Sequence, residues 1–466
     1  LQAVIDQAAA ITQRRFVTMR EPAVPELRQM VSAMNAMVGR LKSMFDDEAA
    51  RLEAVRREAN LDALTGLANR GYFMAQLGHA LEAEESTGGA LVLVRLADLV
   101  GVNRREGRAQ TDQLLKRTAE VIAHSAGQCG GGATARLNGA DFALILPPQQ
   151  DAASCCGALL TALVAAAAPF VDEGPAASIG YARFQPGMVL HELLAGVDAA
   201  LAEAESAGHN QIREAALSTR DELPRTAEQW AAMIQRALQN NWLRLISFPV
   251  VELSGQLSHR ECPLRLMADE HGEWLAAGRF WPFAERLRLT PALDLAAVAL
   301  GLQELAQQSG LRGLAINLSA SSLDDADFRQ RLLALLGTQP SVTPRLWLEV
   351  TESGALRHLD QFRTLCRELK RLGCRVGLEH FGHQFSQIGQ LHELGLDYLK
   401  VDASFIRGID ANAGNAAFLK GLTGIAHNIG LQVLAEGVAT EAELAALATL
   451  GFDGATGPAI REAPAN

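Results

Sequence analysis

Residues 346–352 read LWLEVTE, a short apolar run that one glutamate interrupts and another follows. It is one of several strand-like stretches in the second half of the chain, with helical patterns in the gaps. The predicted strands are Leu243–Leu253, Leu314–Ser319, Leu346–Thr351, Arg375–Phe381, Tyr398–Ile406, Gln432–Gly437 and a last one near Phe452–Gly457. About 240 residues of strand-then-helix units predict a (β/α)8, TIM-like barrel, whose active site lies at the carboxyl ends of the strands.

Polar side chains interrupt or follow six of these apolar runs. They are Glu261, Arg265, Asn317, Glu349, Glu352, Glu379, His380, Lys400, Asp402 and Glu436. Burying a polar group costs free energy, so a set of them at one end of the strands indicates a shared site rather than packing. Carboxylate and amide oxygens suit Mg²⁺ or Mn²⁺, and a lysine neutralises phosphate charge. The pattern therefore predicts metal-assisted phosphodiester chemistry.

Residues 225–466 resemble the EAL domain family, the cyclic di-GMP phosphodiesterase barrels. Five motifs carry the resemblance: ECPLR at 261–265, NLS at 317–319, EVTE at 349–352, KVD at 400–402 and AEGV at 435–438. The resemblance implies that cyclic di-GMP is the ligand and that no cofactor is required. The ligand-binding residues that it implies are Phe248, Glu261, Leu264, Arg265, Asn317, Glu349, Glu379, Lys400, Asp402 and Glu436.

This barrel departs from the family at the residues that hold the catalytic metals in active members. The sequence has Glu379 and His380 where the family has two aspartates, and losing a negative charge weakens Mg²⁺ binding. Phe248 replaces a glutamine, and its ring can stack on guanine, an interaction of about 1–3 kcal/mol per base. We predict a receptor with no catalytic residue and no metal site. The alternative is an active or weakly active phosphodiesterase, since Glu and His both ligate metals.

Residues 63–215 alternate strand-like and helix-like stretches, which predicts an α/β sandwich. They resemble the GGDEF (diguanylate cyclase) family through DALTGLANR at 62–70. The catalytic hairpin reads NGADF at 138–142, and Arg95 stands where the family has a metal-binding aspartate. Asn138-Gly139 is a strong hairpin signal. We expect a degenerate, nucleotidyl-cyclase-like sandwich that makes no cyclic di-GMP.

The first 62 residues predict a helical stalk. Apolar positions from Leu27 through Val31, Val38 and Leu52 to Ala59 recur in steps of three and four, the seam of a coiled coil. Residues 1–45 resemble a HAMP domain and residues 46–62 a signalling helix, and 216–224 is a predicted linker. We favour a homodimeric coiled coil over the alternative, a helix packed on its own domain.

The amino-acid composition disfavours several classes of protein and of site. The net charge of −11 disfavours nucleic-acid binding, and the six cysteines form no CxxC pair, which disfavours zinc sites and disulfides. The longest apolar run, 157–171, is too short to cross a bilayer. The chain starts within a helical pattern rather than at Met, so we interpret it as a fragment.

The order of stalk, degenerate cyclase and degenerate phosphodiesterase resembles a family of bacterial inner-membrane receptors for cyclic di-GMP. This resemblance implies that the chain is the cytoplasmic portion of such a protein. Nucleotide binding to the barrel would relieve autoinhibition and signal through the stalk to a periplasmic domain absent from this sequence. That domain would control a periplasmic protease, and through it adhesin retention and biofilm formation.

Overall fold

The computed structural model describes residues 18–461, except 19, 23, 84–85, 149, 171–175, 209, 216–226, 271, 386 and 388–393. Residues 1–17 of the predicted stalk and the linker at 216–224 therefore lie outside the described residues. The chain divides into two compact units. One contains Leu1–Arg56, Ala231–Trp274 and Ala284–Asn466, and the other contains Arg57–Trp230 and Leu275–Phe283. No helix in the described part has the length and apolar composition needed to span a membrane.

The stalk is represented by one long helix, α1 (Pro25–Asn60). Val31 and Val38 of the predicted seam are buried within the single chain. Leu52 packs on Gly421, a residue of the barrel unit, where an added Cβ would overlap the leucine methyl groups. The described seam therefore packs on its own chain, as in the alternative reading of the sequence. The dimeric coiled coil stays a prediction.

The unit that contains residues 57–230 is an α/β sandwich, as predicted. Its strands are β1 (Gly89–Leu96), β2 (Thr134–Arg136), β3 (Asp141–Leu146), β4 (Ala177–Phe184) and β5 (Ile212–Glu214), in the order β2-β3-β1-β4-β5. Its helices are α2 (Arg70–Glu82), α3 (Leu99–Glu106), α4 (Arg108–Gln128), α5 (Ala152–Ala167) and α6 (Leu190–Ser206). The Asn138-Gly139 turn joins β2 and β3, which pair antiparallel. The predicted hairpin is therefore confirmed.

The remaining strands among the described residues are β6 (Leu243–Leu245), β7 (Phe248–Glu252), β8 (Leu257–Glu261), β9 (Leu264–Met267), β10 (Trp274–Leu275), β11 (Leu314–Asn317), β12 (Leu346–Thr351), β13 (Arg375–Phe381), β14 (Tyr398–Val401), β15 (Gln432–Ala435) and β16 (Gly454–Ala455). The other unit is built on a closed barrel of eight of these strands, in the order β11-β12-β13-β14-β15-β16-β7-β8. The remaining α-helices among the described residues are α7 (Ala227–Gln239), α8 (Ala277–Arg286), α9 (Thr290–Gln307), α10 (Ala326–Gly337), α11 (Glu352–Arg357), α12 (Leu359–Arg371), α13 (Ala403–Ile406), α14 (Ala413–Asn428) and α15 (Glu441–Leu450). Two short 3-10 helices span Ala320–Asp324 and Thr343–Arg345.

The barrel differs from a regular (β/α)8 barrel at one strand. β7 runs antiparallel to both of its neighbours, β8 and β16, whereas the other neighbouring strands pair in parallel. A four-residue connection joins β7 to β8, and a connection this short permits only an antiparallel pair. The predicted strand Leu243–Leu253 is in fact two strands, and only the second, β7, belongs to the barrel.

A second correction concerns the predicted strand Tyr398–Ile406. β14 ends at Val401, because the Asp402 carboxylate accepts hydrogen bonds from the backbone N–H and hydroxyl of Ser404 and caps α13. An aspartate in this position favours the start of a helix over continuation of the strand. Asp402 therefore lies at the carboxyl end of β14, where a barrel places functional residues.

Candidate functional site

A buried lysine is the centre of the charged group at the carboxyl ends of the strands. Lys400 Nζ donates a hydrogen bond to Glu349 Oε2 at 2.7 Å and lies 3.1 Å from Glu261 Oε1. Burial by itself lowers the pKa of Lys400, but the charges of Glu261 and Glu349 outweigh it and hold that pKa well above the usual value. The ammonium group is therefore charged, and it is paired as a buried charge must be.

Tyr398 holds the second oxygen of the same glutamate. Because side chains alternate along a strand, Tyr398 and Lys400 point to the same side of β14. The Tyr398 hydroxyl donates to Glu349 Oε1 at 2.7 Å, and burial together with Glu349 raises the pKa of the tyrosine well above 10. Both oxygens of Glu349 thus accept a hydrogen bond. Tyr398 was not among the predicted site residues, although its place two residues before Lys400 was a usable signal.

Three carboxylates lie close enough to share a cation. Glu261, Glu349 and Glu379 each offer an oxygen, and these oxygens lie within 4.8 Å of one another. Such an all-oxygen set suits a hard divalent ion such as Mg²⁺. Lys400 already supplies a positive charge to two of the three. The expectation of no metal was based on the loss of an aspartate charge at His380, and it stays a prediction. Lys400 is a further cation that competes with a metal for these oxygens.

His380 lies between two other carboxylates of the predicted site. Its Nδ1 is 2.9 Å from Glu436 Oε2 and 3.3 Å from Asp402 Oδ2. Its backbone has φ of +53° and its N–H donates to Glu436 Oε1 at 3.2 Å. The left-handed backbone coincides with a shift in the pairing of β13 with β14. The bulge aims the imidazole at the two acids, so an imidazole occupies the position between them.

A second histidine reaches the same aspartate. His383 Nε2 is 3.4 Å from Asp402 Oδ1. Burial by itself raises the pKa of Asp402, but hydrogen bonds from His380 and His383 outweigh it and hold that pKa well below the usual range. Burial likewise lowers the pKa of His383, and Asp402 reverses this and raises it. The aspartate is therefore ionised and its charge is balanced by imidazole rings. Nothing in the sequence motifs pointed to His383.

Glu352 fixes the loop that follows β13. This carboxylate is almost fully buried, and its Oε2 accepts backbone N–H bonds from Gly382, His383 and Gln384 at 3.2, 2.9 and 3.0 Å. Burial raises the pKa of Glu352 above its ordinary value. The glutamate that closes the EVTE motif is thus a positioning residue for the loop that carries His383.

The remaining predicted site residues fall into two sets, those on or directly after barrel strands and those on a side sheet. Asn317 ends β11 directly beside Glu349 in the parallel register, and Glu436 follows β15. Phe248 begins β7 opposite Glu261 and has 36% of its surface exposed.

Leu264 and Arg265 are buried on β9, which belongs to the side sheet β10-β9-β6. The expectation that Arg265 ends a barrel strand is therefore wrong, because Cys262-Pro263 separates β8 from β9.

Asp294 on α9 supports the loop after β11 in the same way. Its Oδ2 accepts hydrogen bonds from Ser319 N at 3.0 Å and from Ser322 Oγ at 2.6 Å. Complete burial raises the pKa of Asp294 to about 7, against the opposing effect of these two bonds. Asp294 lies 25 positions before Ser319 and was not among the predicted site residues.

We expect Asp294→Asn to flatten the dependence of stability on pH. The folded pKa of about 7 exceeds the ordinary 3.8, so the folded chain binds this proton more tightly and loses stability as pH rises through that window. The loss between about pH 5 and about pH 8 is roughly 2–3 kcal/mol in the free energy of unfolding. Urea unfolding of both proteins at the two pH values measures it.

Asp327→Asn is the matched control, because 74% of the Asp327 side chain is exposed. This control should keep the wild-type slope of stability against pH. An equal slope in Asp294→Asn and in the wild type would show that Asp294 does not carry this proton.

The sandwich has a separate charged group at its hairpin. The Arg95 guanidinium binds both oxygens of Asp141 at 2.6 and 3.1 Å and also reaches Glu205 at 3.1 Å. Burial would raise the pKa of Asp141, but Arg95 outweighs it and lowers that pKa. Arg95, Asn138 and Asp141 line a cavity of about 220 Å³. A protein cation thus pairs with the hairpin aspartate.

Comparison with known proteins agrees with this arrangement. The EAL domain model matches residues 231–463, half of the chain, and the model for the diguanylate cyclase, GGDEF domain matches residues 59–211. The chain is 27% identical to cyclic di-GMP phosphodiesterase PdeB of Shewanella oneidensis over 439 residues, which cover 90% of this chain and 50% of PdeB. This chain therefore spans about half the length of that relative.

Two solved structures share the fold over most of the chain. The apo form of Vibrio cholerae LapD S helix-GGDEF-EAL matches with a TM-score of 0.80 and 21% identity, covering 89% of this chain and 99% of that one. The same LapD region bound to c-di-GMP matches with a TM-score of 0.51 and 22% identity over the same shares. At these identities the likeness concerns the fold. With the two matching family models, it shows that this chain belongs to the EAL domain family and carries a GGDEF domain before its EAL domain.

Proposed function

We propose that the EAL domain of this chain binds cyclic di-GMP without cleaving it and that the binding is a signal. One observation carries the proposal. The imidazole of His380 lies between Asp402 and Glu436, at 3.3 and 2.9 Å, in the segment where active family members have a metal-binding aspartate. An imidazole placed this close to two acids occupies the space between them and leaves them less able to bind a second cation. Two-metal hydrolysis requires both ions.

Two side chains of the site, Lys400 and Phe248, support the proposal that the EAL domain binds the nucleotide. Lys400 is charged. Phe248 is exposed at the start of β7, opposite Glu261, where its ring can stack on a base. The relatives support the nucleotide, because PdeB is named as a cyclic di-GMP phosphodiesterase and LapD has been solved with c-di-GMP bound. The GGDEF domain contributes no synthesis in this proposal, because Arg95 neutralises Asp141.

The signal is proposed to leave through α1, as in a LapD-like receptor. Leu52 of that helix packs on Gly421 of α14, so a change in the barrel reaches the stalk through a direct contact. The ligand shifts a closed-to-open equilibrium by its preference for the open state, and a 99:1 resting ratio needs about 5.5 kcal/mol of differential binding to reverse. By resemblance to such receptors, the proposal also includes a homodimer, an inner-membrane anchor, control of a periplasmic protease and control of biofilm formation.

Calorimetry and chromatography on the same sample test the proposal. We expect the chain to bind cyclic di-GMP and to return it intact after long incubation with Mg²⁺ or Mn²⁺. Phe248→Ala should weaken binding by roughly 5- to 150-fold, the equivalent of one lost base stack of about 1–3 kcal/mol. Val189→Ala, at a more exposed apolar residue of the sandwich (47% against 36% for Phe248), should leave the affinity unchanged.

The second candidate is a slow phosphodiesterase. The oxygens of Glu261, Glu349 and Glu379 within 4.8 Å of one another favour it, because they can still hold one divalent ion. Linear dinucleotide in the incubation with Mn²⁺ would establish this candidate and refute the receptor that cannot cleave. Absence of any binding heat would refute both.

A further inference from the structure

Three of the six cysteines gather at one place in the sandwich. Cys129, Cys155 and Cys156 line the same small cavity between α4 and α5, two helices that pack on each other. Cys129 and Cys155 are half-buried and Cys156 is fully buried. Both half-buried residues line this cavity where the end of α4 and the start of α5 meet it. The cavity thus brings together two thiols that lie far apart in sequence.

We propose that Cys129 and Cys155 form a reversible disulfide when the protein meets a peroxide. Cys129 ends α4 as its C-terminal cap and Cys155 lies in the first turn of α5. The bond would tie these helix ends together and close a loop that contains the β2–β3 hairpin. This site is independent of nucleotide binding by the barrel.

The chemistry balances with hydrogen peroxide as the oxidant. The Cys129 sulfur attacks one peroxide oxygen, the O–O bond breaks, and a sulfenic acid and water form. The Cys155 sulfur then attacks the Cys129 sulfur, the S–O bond breaks, and the oxygen leaves as a second water with the thiol proton. The two thiols lose two electrons in total and the peroxide gains them. A reducing thiol reverses the bond by exchange.

The order of attack follows from the surroundings of the two thiols. Burial and the facing Cys129 raise the pKa of Cys155 to about 12, and the thiolate is the nucleophile. Cys129 is therefore the thiol that meets the oxidant, and Cys155 resolves it slowly. Cys155 and Cys156 are not the pair, because adjacent residues are about 3.8 Å apart at Cα, less than the usual 4.4–6.8 Å of a disulfide.

Peptide mapping of the peroxide-treated full chain tests the proposal. After alkylation and digestion without reductant, we expect one linked peptide pair joining Cys129 to Cys155 and four alkylated thiols out of the six in the chain. The midpoint of thermal unfolding of the sandwich should rise by about 5–10 °C and return on reduction, since the bond closes a long loop. Cys129→Ser and Cys155→Ser should each abolish the linked pair.

Cys156→Ala is the matched control, because it changes the third thiol of the cavity and should keep the link. Alkylation of all six thiols after peroxide treatment of the wild type would overturn the proposal. So would a Cys129 that oxidises to the sulfinic acid without a linked peptide, or a link found only between two chains. These three outcomes are measured on the wild-type protein, so they do not depend on whether a variant folds.

Discussion

Replacing Lys400 by methionine is expected to lower the free energy of unfolding of the barrel unit by about 3–5 kcal/mol. The ammonium group is fully buried and sits 2.7 Å from Glu349 and 3.1 Å from Glu261. Removing one partner of a buried ion pair leaves the other charge uncompensated in a medium of low dielectric constant. Methionine keeps most of the volume, so the loss reports charge rather than a cavity. Urea unfolding at neutral pH measures it.

Lys370→Met is the matched control. Lys370 forms an ion pair with Asp397, but its side chain is 39% exposed, so its loss should cost about 0–1 kcal/mol. Adding Glu349→Gln to the Lys400→Met variant should recover part of the loss, because the amide carries no charge to leave unpaired. A loss below 1 kcal/mol in Lys400→Met would mean that water reaches the group and that the buried network does not hold the strand ends together.

Some parts of this site followed from the sequence because local pattern decides them. The bounds of Leu346–Thr351 and Arg375–Phe381 match the predicted strands, and the polar residues after them meet at one end of the barrel. Parallel strands bring their carboxyl ends together whatever the connecting helices do. Residues that end such strands can therefore be assigned to one site without a structure.

Other parts depend on partners that are remote in sequence. Tyr398 contacts Glu349 across 49 positions, and only its spacing from Lys400 gave a local signal. Asp294 contacts Ser319 across 25 positions and carries no signal in its own neighbourhood. His380 was predicted to weaken a metal site by its charge alone. Its left-handed backbone, which aims the ring between two acids, follows from the pairing of β13 with β14 and not from residue type.

The heptad pattern of α1 shows a different limit. A stripe of apolar residues at steps of three and four predicts that the helix has a partner on that face. It does not specify whether the partner is a second copy or the same chain. Val31 and Val38 are buried within one chain, while Met30, Met37 and Met44 form an exposed stripe beside them. The buried valines show that this face of the helix packs on its own chain, and a second copy as partner stays a prediction.

Glu379→Asp combined with His380→Asp is expected to create a metal-binding pair and to raise hydrolysis of cyclic di-GMP at least about 100-fold. The second substitution replaces the imidazole between Asp402 and Glu436 by a carboxylate, and aspartate tolerates the left-handed φ of +53° at this position. Metal ions that activate water stabilise the transition state by several kcal/mol, and about 2.7 kcal/mol corresponds to 100-fold in rate. Chromatography of the linear product with and without Mn²⁺ measures the rate, and calorimetry with Mn²⁺ alone measures the metal.

His380→Asn is the control, because it removes the imidazole at a similar size without adding a charge. If the ring alone blocks the metals, this variant should bind Mn²⁺ more tightly than the wild type, although less tightly than the double variant. A double variant that binds Mn²⁺ and still returns intact nucleotide would place the block elsewhere. Lys400 would then be the next group to consider, because its 2.7 Å bond occupies one oxygen of Glu349 while Tyr398 occupies the other. Such a result would distinguish two possible causes of the missing hydrolysis. One is the loss of the metal, and the other is the lack of a free carboxylate oxygen among the three clustered glutamates.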